Sequence, residues 1–299
     1  MRDYLSIARP DHWIKNIFSI PGAIFAIIFS TELKRFTIFD LLFIAFILCF
    51  ASSANYTINE WLDRFSDMNH PVKFDRPAAQ GRIKLKWVVV QYSCLVFLST
   101  FFAFLMGTKF VILLIIFLVL GILYNVKPFR TKDRIFLDVI SESANNPIRF
   151  LFGWFCITDG IPPSSALIGY WTAGTFLMTM KRYGEKKQLM NQLGANSDAI
   201  FKYRPSLGHY TLNQLFEIAL FCSICTSAFL GIFMMKYSEF LVITIPSLAF
   251  CFVEYFKIAE KEDSPAQNPE LLYKESRLIL ASGSFLVLSI VGIYIEGLV

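Results

Sequence analysis

Asn59, Asp63 and Asp67 follow one another at intervals of four residues within NYTINEWLDRFSDMNHPVKFDRPAAQGR, residues 55–82. On a helix that interval stacks three side chains along one face. Two carboxylates and an amide, one turn apart and all oxygen-bearing, suit a hard cation such as Mg²⁺ that is shared with phosphate oxygens. His70, Lys73, Arg76 and Arg82 follow at once, and the bases among them are groups that hold an anion. Pro and Gly punctuate this segment as a shaped loop. Arg76 stands directly before Pro77, which holds it extended and helps aim its guanidinium. The plainer alternative is a helix end whose acids pair with Arg64 or Lys73, beside bases that face lipid headgroups.

A second set lies in YNVKPFRTKDRIFLDVISESANNPIRFLFGW, residues 124–154. Asp138, Glu142, Asn145 and Arg149 are spaced four, three and four apart, so one helix face carries three oxygen-bearing groups and a cation one turn deeper. An internal ion pair between Glu142 and Arg149 is the structural alternative. Tyr124 and Lys127 come just before and can reach the same cavity from the preceding loop. Lys181, Arg182 and Glu185 in MKRYGEKK are a third set, and Tyr203, Arg204 and His209 in YRPSLGHYT a fourth. Basic residues at the end of a membrane span are common, so these two carry less by themselves. Walker-type, HExxH and GxSxG motifs are absent, and the three histidines are too scattered to suggest a ligand cluster.

The elements that position these residues are membrane helices. Hydrophobic residues make up 55% of the 299, charged residues 17%, and the mean hydropathy is +0.53. A soluble domain is nearer a quarter charged, so composition alone gives a membrane protein, and the apolar runs below make it an all-α polytopic one. Nine apolar runs of membrane-crossing length fall near 13–30, 38–60, 87–107, 110–126, 136–157, 164–182, 213–235, 238–256 and 277–297. Of 28 Lys and Arg, one set of alternate connections carries Lys34, Arg35, Lys109 and Lys236, and nearly all the rest fall on the other side. The positive-inside rule then makes the N-terminus cytoplasmic and the C-terminus external. The long connections also lie on the basic side, which puts the working face toward the cytoplasm. No separate soluble domain is visible, and residues 1–299 read as one domain.

Other classes fall away on the same grounds. No basic tract with interleaved aromatics lies outside the apolar runs, so nucleic acid is not an expected partner. Cys222 and Cys225 form a CxxC inside an apolar run, without a second pair or a nearby His, and read as ordinary thiols. The opening MRDYLSIARPDHW lacks a small-residue cleavage site, so the first apolar run reads as a retained span. The 32 Phe suit lipid-facing and chain-binding surfaces alike.

The stripe Asn59-xxx-Asp63-xxx-Asp67 on the second run, with an acidic stripe on the fifth, resembles the signature motifs of the UbiA superfamily of intramembrane prenyltransferases. The likeness covers nearly the whole chain. It implies nine transmembrane helices around a central, lipid-accessible cavity, in a bacterial or archaeal cell membrane. It also implies one or two Mg²⁺ ions bridging the acidic motifs to a diphosphate. Asp63, Asp67, Asp138 and Glu142 would hold the metal with Asn59, and Lys73, Arg76 and Lys127 would grip phosphate. Where the family's second motif is commonly Asp-xxx-Asp, this chain has Asp138-xxx-Glu142.

Within the family, RPDHWIKN, DMNHPVKFDRPAAQG, KRYGE and YRPSLGHYT look most like the decaprenyl-phosphate phosphoribosyltransferase-like branch, while SESANNP departs from it. That branch implies transfer of 5-phosphoribose from phosphoribosyl diphosphate to a polyprenyl phosphate, with Arg149, Lys181 and Arg182 as candidates to hold the second anion. Transfer of an isoprenoid chain from a prenyl diphosphate to an aromatic or other small acceptor is the alternative within the superfamily. An ion or lipid transporter is the alternative from another class. It calls for charges spread along a route, whereas here they gather on the second, fifth and sixth runs. Composition leaves the oligomeric state open.

Overall fold

A chain crossing a bilayer must satisfy its backbone N–H and C=O groups internally, and helices are how this sequence does so. The computed structural model describes residues 2–68, 73–193, 198, 200, 201, 204–261, 264–267 and 269–297, and among these the regular structure is all helical. Seven helical stretches are long and apolar enough to cross a membrane: Arg2–Phe29, Ile38–Asp67, Leu85–Met106, Thr108–Asn125, Leu212–Tyr237, Glu239–Ala259 and Ser276–Glu296. The protein is an integral membrane protein.

The other two apolar runs are also helical, but differently built. The run at 136–157 is two shorter helices, Leu137–Ser143 and Asn145–Ile157, that meet at Ala144. Pro147 has no N–H to give the Ser143 carbonyl, so the ladder is interrupted where SESANNP lies. The run at 164–182 belongs to the helix Ser164–Leu193, which continues through the charged MKRYGEKK.

The chain divides into two compact units, Met1–Pro162 and Pro163–Val299. The first holds α1 (Arg2–Ala8), a 3₁₀ segment (Pro10–Ser19), α2 (Ile20–Phe29), α3 (Ile38–Asp67), α4 (Leu85–Met106), α5 (Thr108–Asn125), α6 (Leu137–Ser143) and α7 (Asn145–Ile157). Thr37 and Asp40 form a capping box that starts α3. Midway along α3, Ala51, Ser52, Ser53, Ala54 and Thr57 are buried, small residues that let neighbouring helices approach closely. The α2–α7 contact is closer still. A Cβ on Gly22 would overlap the Phe150 carbonyl, and one on Gly153 the Ser19 carbonyl. This backbone-to-backbone contact fixes the helix that carries Arg149.

The second unit holds α8 (Ser164–Leu193), α9 (Pro205–His209), α10 (Leu212–Tyr237), a 3₁₀ turn (Glu239–Thr244), α11 (Ile245–Ala259) and α12 (Ser276–Glu296). Phe176 centres its core, with edge-on ring contacts to Phe252 at 4.8 Å, Phe256 at 5.3 Å and Tyr255 at 5.6 Å. Lys186 is buried and donates to the Leu207 carbonyl at 2.9 Å and to that of Tyr210, which fastens α9 to α8. All six cysteines, Cys222 and Cys225 included, are free thiols.

Candidate anion and metal site

The last turns of α3 carry the first oxygen stripe, and the loop after α5 folds back onto it. Asp63 accepts from Lys132 Nζ through both carboxylate oxygens, at 2.6 and 2.7 Å, and from Arg130 Nη2 at 2.9 Å. The same ammonium donates to Asn125 Oδ1 at 3.0 Å, and Asn59 Nδ2 donates to that same oxygen. Asn125, the last residue of α5, is fixed in turn by its own Nδ2 donating to the Gly121 carbonyl at 2.9 Å. Arg130 takes a left-handed backbone (φ 33°) and also donates from Nε to Asp133 at 2.5 Å. Lys132 is only 6% exposed, so its charge is balanced by oxygens of the chain rather than by water.

Asn59 and Asp63 are thus brought together around Lys132, as their spacing predicts for one helix face. Asp67, one turn on, is 4% exposed and accepts from Arg76 Nη1 at 2.6 Å. Arg76 therefore reaches the stripe by pairing with one of its acids. Lys73 lies in the described part of the same loop, whereas His70 falls outside the described residues. Arg82 turns to the Asp75 carbonyl, at 2.8 Å.

The second stripe does not lie on one continuous helix, because the chain breaks at Ala144. Asp138 and Glu142 stand on α6, Asn145 and Arg149 on α7. Asp138 is wholly buried. Glu142 accepts from the Tyr124 hydroxyl at 3.1 Å, and Asn145 Nδ2 donates to the Glu142 carbonyl at 3.1 Å. Arg149 is buried, sits 5.2 Å over the Phe117 ring and donates from Nε to Asn16 Oδ1 at 3.1 Å. Lys127 is exposed at the start of the loop. Lys181 and Arg182 belong to α8 in the second unit, where buried Arg182 pairs with Glu185 at 3.1 Å. Tyr203 lies outside the described residues, and Arg204 precedes α9.

Sequence reasoning passed over Lys132, Arg130 and Asn125, which do most to shape the first site. A hint was present: TKD and the preceding Arg130 lie within nine residues of the end of an apolar run, too close to be a free-standing loop. It also passed over the role of RPDHWIKN. Arg9 pairs with Glu60 at 3.3 Å, Trp13 Nε1 donates to Ser53 at 2.9 Å, and Asn16 receives Arg149 and Ser52. This segment is a splint along α3.

Among the described residues no three His, Cys, Asp or Glu gather closely enough to hold a metal ion by themselves. The donor set of the first stripe is nonetheless all oxygen, from Asn59, Asp63 and Asp67. That fits Mg²⁺, which binds through one or two carboxylates and completes its shell with water and phosphate oxygens. Each carboxylate also has a cation beside it, and a phosphate would compete for those cations.

A many-helix membrane protein with hard oxygen ligands and buried cations meeting at one helix end is of the class that handles charged groups at a bilayer. Residues 19–273 match the UbiA prenyltransferase family, and the chain belongs to that family; it is a transferase. It is 28% identical to decaprenyl-phosphate phosphoribosyltransferase of Corynebacterium glutamicum over 210 residues, which cover 69% of this chain and 59% of that protein. It is also 28% identical over 190 residues to nodulation protein NoeC of Azorhizobium caulinodans, covering 62% of this chain and 58% of the relative. The chain thus spans less than two thirds of the length of these relatives. A solved UbiA homolog from Archaeoglobus fulgidus, bound to DMAPP and Mg²⁺, superposes with a TM-score of 0.71 at 17% identity, over 96% of this chain and 98% of that one. The fold is therefore the UbiA fold.

Proposed function

We propose that this protein transfers 5-phosphoribose from phosphoribosyl diphosphate to a polyprenyl phosphate, within one catalytic domain of nine membrane helices around a central cavity open to the cytoplasm. The observation that carries the reading is the contact of Lys132 and Arg130 with Asp63. It holds two cations and a metal-type carboxylate within hydrogen-bond reach of one another at the end of α3. A diphosphate bound with Mg²⁺ needs just those groups. The names of the relatives from Corynebacterium and from Mycobacterium tuberculosis, both decaprenyl-phosphate phosphoribosyltransferases, favour ribose over an isoprenoid as the transferred group. The family match runs across both compact units, which supports a single working domain. The helical build of residues 136–157 and 164–182 supports nine spans, and the charge alternation supports a cytoplasmic N-terminus.

In this reading Asn59, Asp63 and Asp67, with Asp138 and Glu142 for a second ion, hold one or two Mg²⁺. The metal, when bound, neutralises charge growing on the leaving diphosphate. Lys132, Arg130, Arg76, Lys73 and Lys127 hold phosphate oxygens, Tyr124 orients the Glu142 carboxylate, and Asn145 bonds the Glu142 backbone carbonyl beside it. The bond between the anomeric carbon and the diphosphate breaks as an oxygen of the acceptor phosphate bonds to that carbon. The acceptor is already an anion, so no general base is required. Arg149, Lys181 and Arg182 are the candidates to hold it.

The test is a paired turnover assay on detergent-purified full-length protein with Mg²⁺, read by mass spectrometry. One reaction holds phosphoribosyl diphosphate and a polyprenyl phosphate. The other holds a prenyl diphosphate with aromatic and polyol acceptors. A phosphoribosylated lipid in the first, abolished by Asp63→Asn in protein that remains folded, is the expected result. Product only in the second reaction would make this a prenyltransferase and reassign Arg149, Lys181 and Arg182 to structure.

A further inference from the structure

The oxygen stripe of α3 does not stop at Asn59. Asn55 stands one interval of four further back, about 6 Å along the helix axis and on the same face. Its Oδ1 is buried and has no hydrogen-bond partner among the described residues. The amide is pressed against α5 at Gly121, where any Cβ would overlap its Oδ1, Cγ and Nδ2. Gly121 is also the residue whose carbonyl receives Asn125, the amide shared by Asn59 and Lys132. Asn55 is therefore seated by the same helix contact that builds the phosphate end of the site, one turn deeper.

A buried amide oxygen left without a partner costs stability, and a leucine would pack there at no such cost. The polar group calls for a ligand that supplies its hydrogen bond. At this depth the two candidate donors differ sharply. An isoprenoid chain has no hydrogen-bonding group to offer, and beside it the amide would remain unsatisfied. A ribose ring next to the diphosphate carries hydroxyls, each of them a donor and an acceptor. We propose that Asn55 reads a ring hydroxyl of the phosphoribosyl donor and so sets donor specificity. This rests on the phosphoribosyl-transfer reading above and adds the residue that distinguishes sugar from hydrocarbon. Asn55 is a specificity residue in this assignment, since it contacts the transferred group away from the bond that breaks.

The experiment compares phosphoribosyl diphosphate with its 2-deoxy and 3-deoxy analogues, using a polyprenyl phosphate acceptor and the full-length protein. In the wild type, removing the hydroxyl that Asn55 reads lowers kcat/KM about ten- to hundredfold, the cost of leaving one buried polar group unsatisfied. Asn55→Leu lowers kcat/KM for the parent donor by a similar factor and abolishes the penalty for that analogue, since the contact is already gone. A Leu variant that keeps the wild-type discrimination against both analogues overturns the assignment while leaving phosphoribosyl transfer in place. Wild-type protein that uses only prenyl diphosphates overturns the transfer reading, and the hydroxyl assignment with it. Should Asn55→Leu not yield folded protein by size exclusion, Asn55→Ala, which removes bulk beside Gly121, is read by the same criterion.

Discussion

Replacing Lys132 with Met tests whether the ammonium is a structural strut or a phosphate ligand as well. The substitution keeps an unbranched side chain one atom shorter and removes its charge. Hydrogen bonds to Asp63, at 2.6 and 2.7 Å, and to Asn125, at 3.0 Å, go with it. Breaking a buried ion pair from one side costs about 3–5 kcal/mol. Asp63 keeps Arg130 at 2.9 Å, and Asn125 keeps Asn59, so the lower end, about 3 kcal/mol, applies. At roughly 2 °C per kcal/mol for a chain of this size, the melting temperature falls by about 6 °C.

The ligand-linked part separates the two roles. Magnesium diphosphate at about 100 times its Kd raises stability by about 2.7 kcal/mol. Losing one charge-assisted hydrogen bond, about 1.5–3 kcal/mol, weakens binding about ten- to hundredfold. At the same concentration the rise then shrinks to about 0.4–1.4 kcal/mol. The assay is thermal unfolding in detergent, with and without magnesium diphosphate, alongside turnover, for which a loss of about 10²–10³ in kcat is expected. If Lys132→Met keeps the full ligand-induced rise and wild-type turnover, Lys132 is a strut and the phosphate reasoning is wrong.

Three further outcomes follow from the same contacts. Gly153→Ala drives a Cβ into the Ser19 carbonyl, and the rigid backbone on both sides makes the cost about 1–3 kcal/mol, read as a lowered melting temperature. Asn16→Ala removes the oxygen that receives buried Arg149 and Ser52, and should cost about 1.5–3 kcal/mol in unfolding, while Asn16→Asp, which keeps the oxygen, restores most of it. In the link between α7 and α8, a hydrogen bond from Lys109 and the charge of Lys34 hold the Asp159 carboxyl below its ordinary range. The ionised form is therefore favoured, and a carboxyl-carbon NMR titration should place its midpoint below that of an unpaired Asp; Lys109→Met should move it back up.

How far the sequence could be read depended on how local each feature is. Asn59, Asp63 and Asp67 were readable because helical register is set by the chain's own period, and the same register extends to Asn55. The apolar runs were readable because bilayer thickness fixes their length. The break at Ala144 was within reach as well, from Pro147 amid SESANNP, yet a stripe spaced four, three and four masked it. The pairing of Lys132 and Arg130 with Asp63 joins residues almost seventy positions apart through a loop with a left-handed turn at Arg130, and no period announces that. Nor does any pattern announce that Asn16, in the 3₁₀ segment before α2, receives Arg149 of α7.

These two long-range contacts share a logic. In each, a cation with little access to water is held by a side-chain oxygen that is itself fixed by a second bond: Asn125 by Gly121, Asn16 by its bond to Cys49 Sγ. A lysine or arginine in an apolar bundle has a long, flexible stem, and without such anchors it would snorkel to the nearest water. Rigid amides keep both charges inside the bundle at set positions, and Gly121 and Gly153 provide the close backbone approach that the amides need. The bundle's small residues and its buried amides therefore belong to one device. Gly121→Ala, by displacing Asn55 and Asn125 together, should disturb the positions of the charges at Lys132 and Asp63 as much as it disturbs the helix packing.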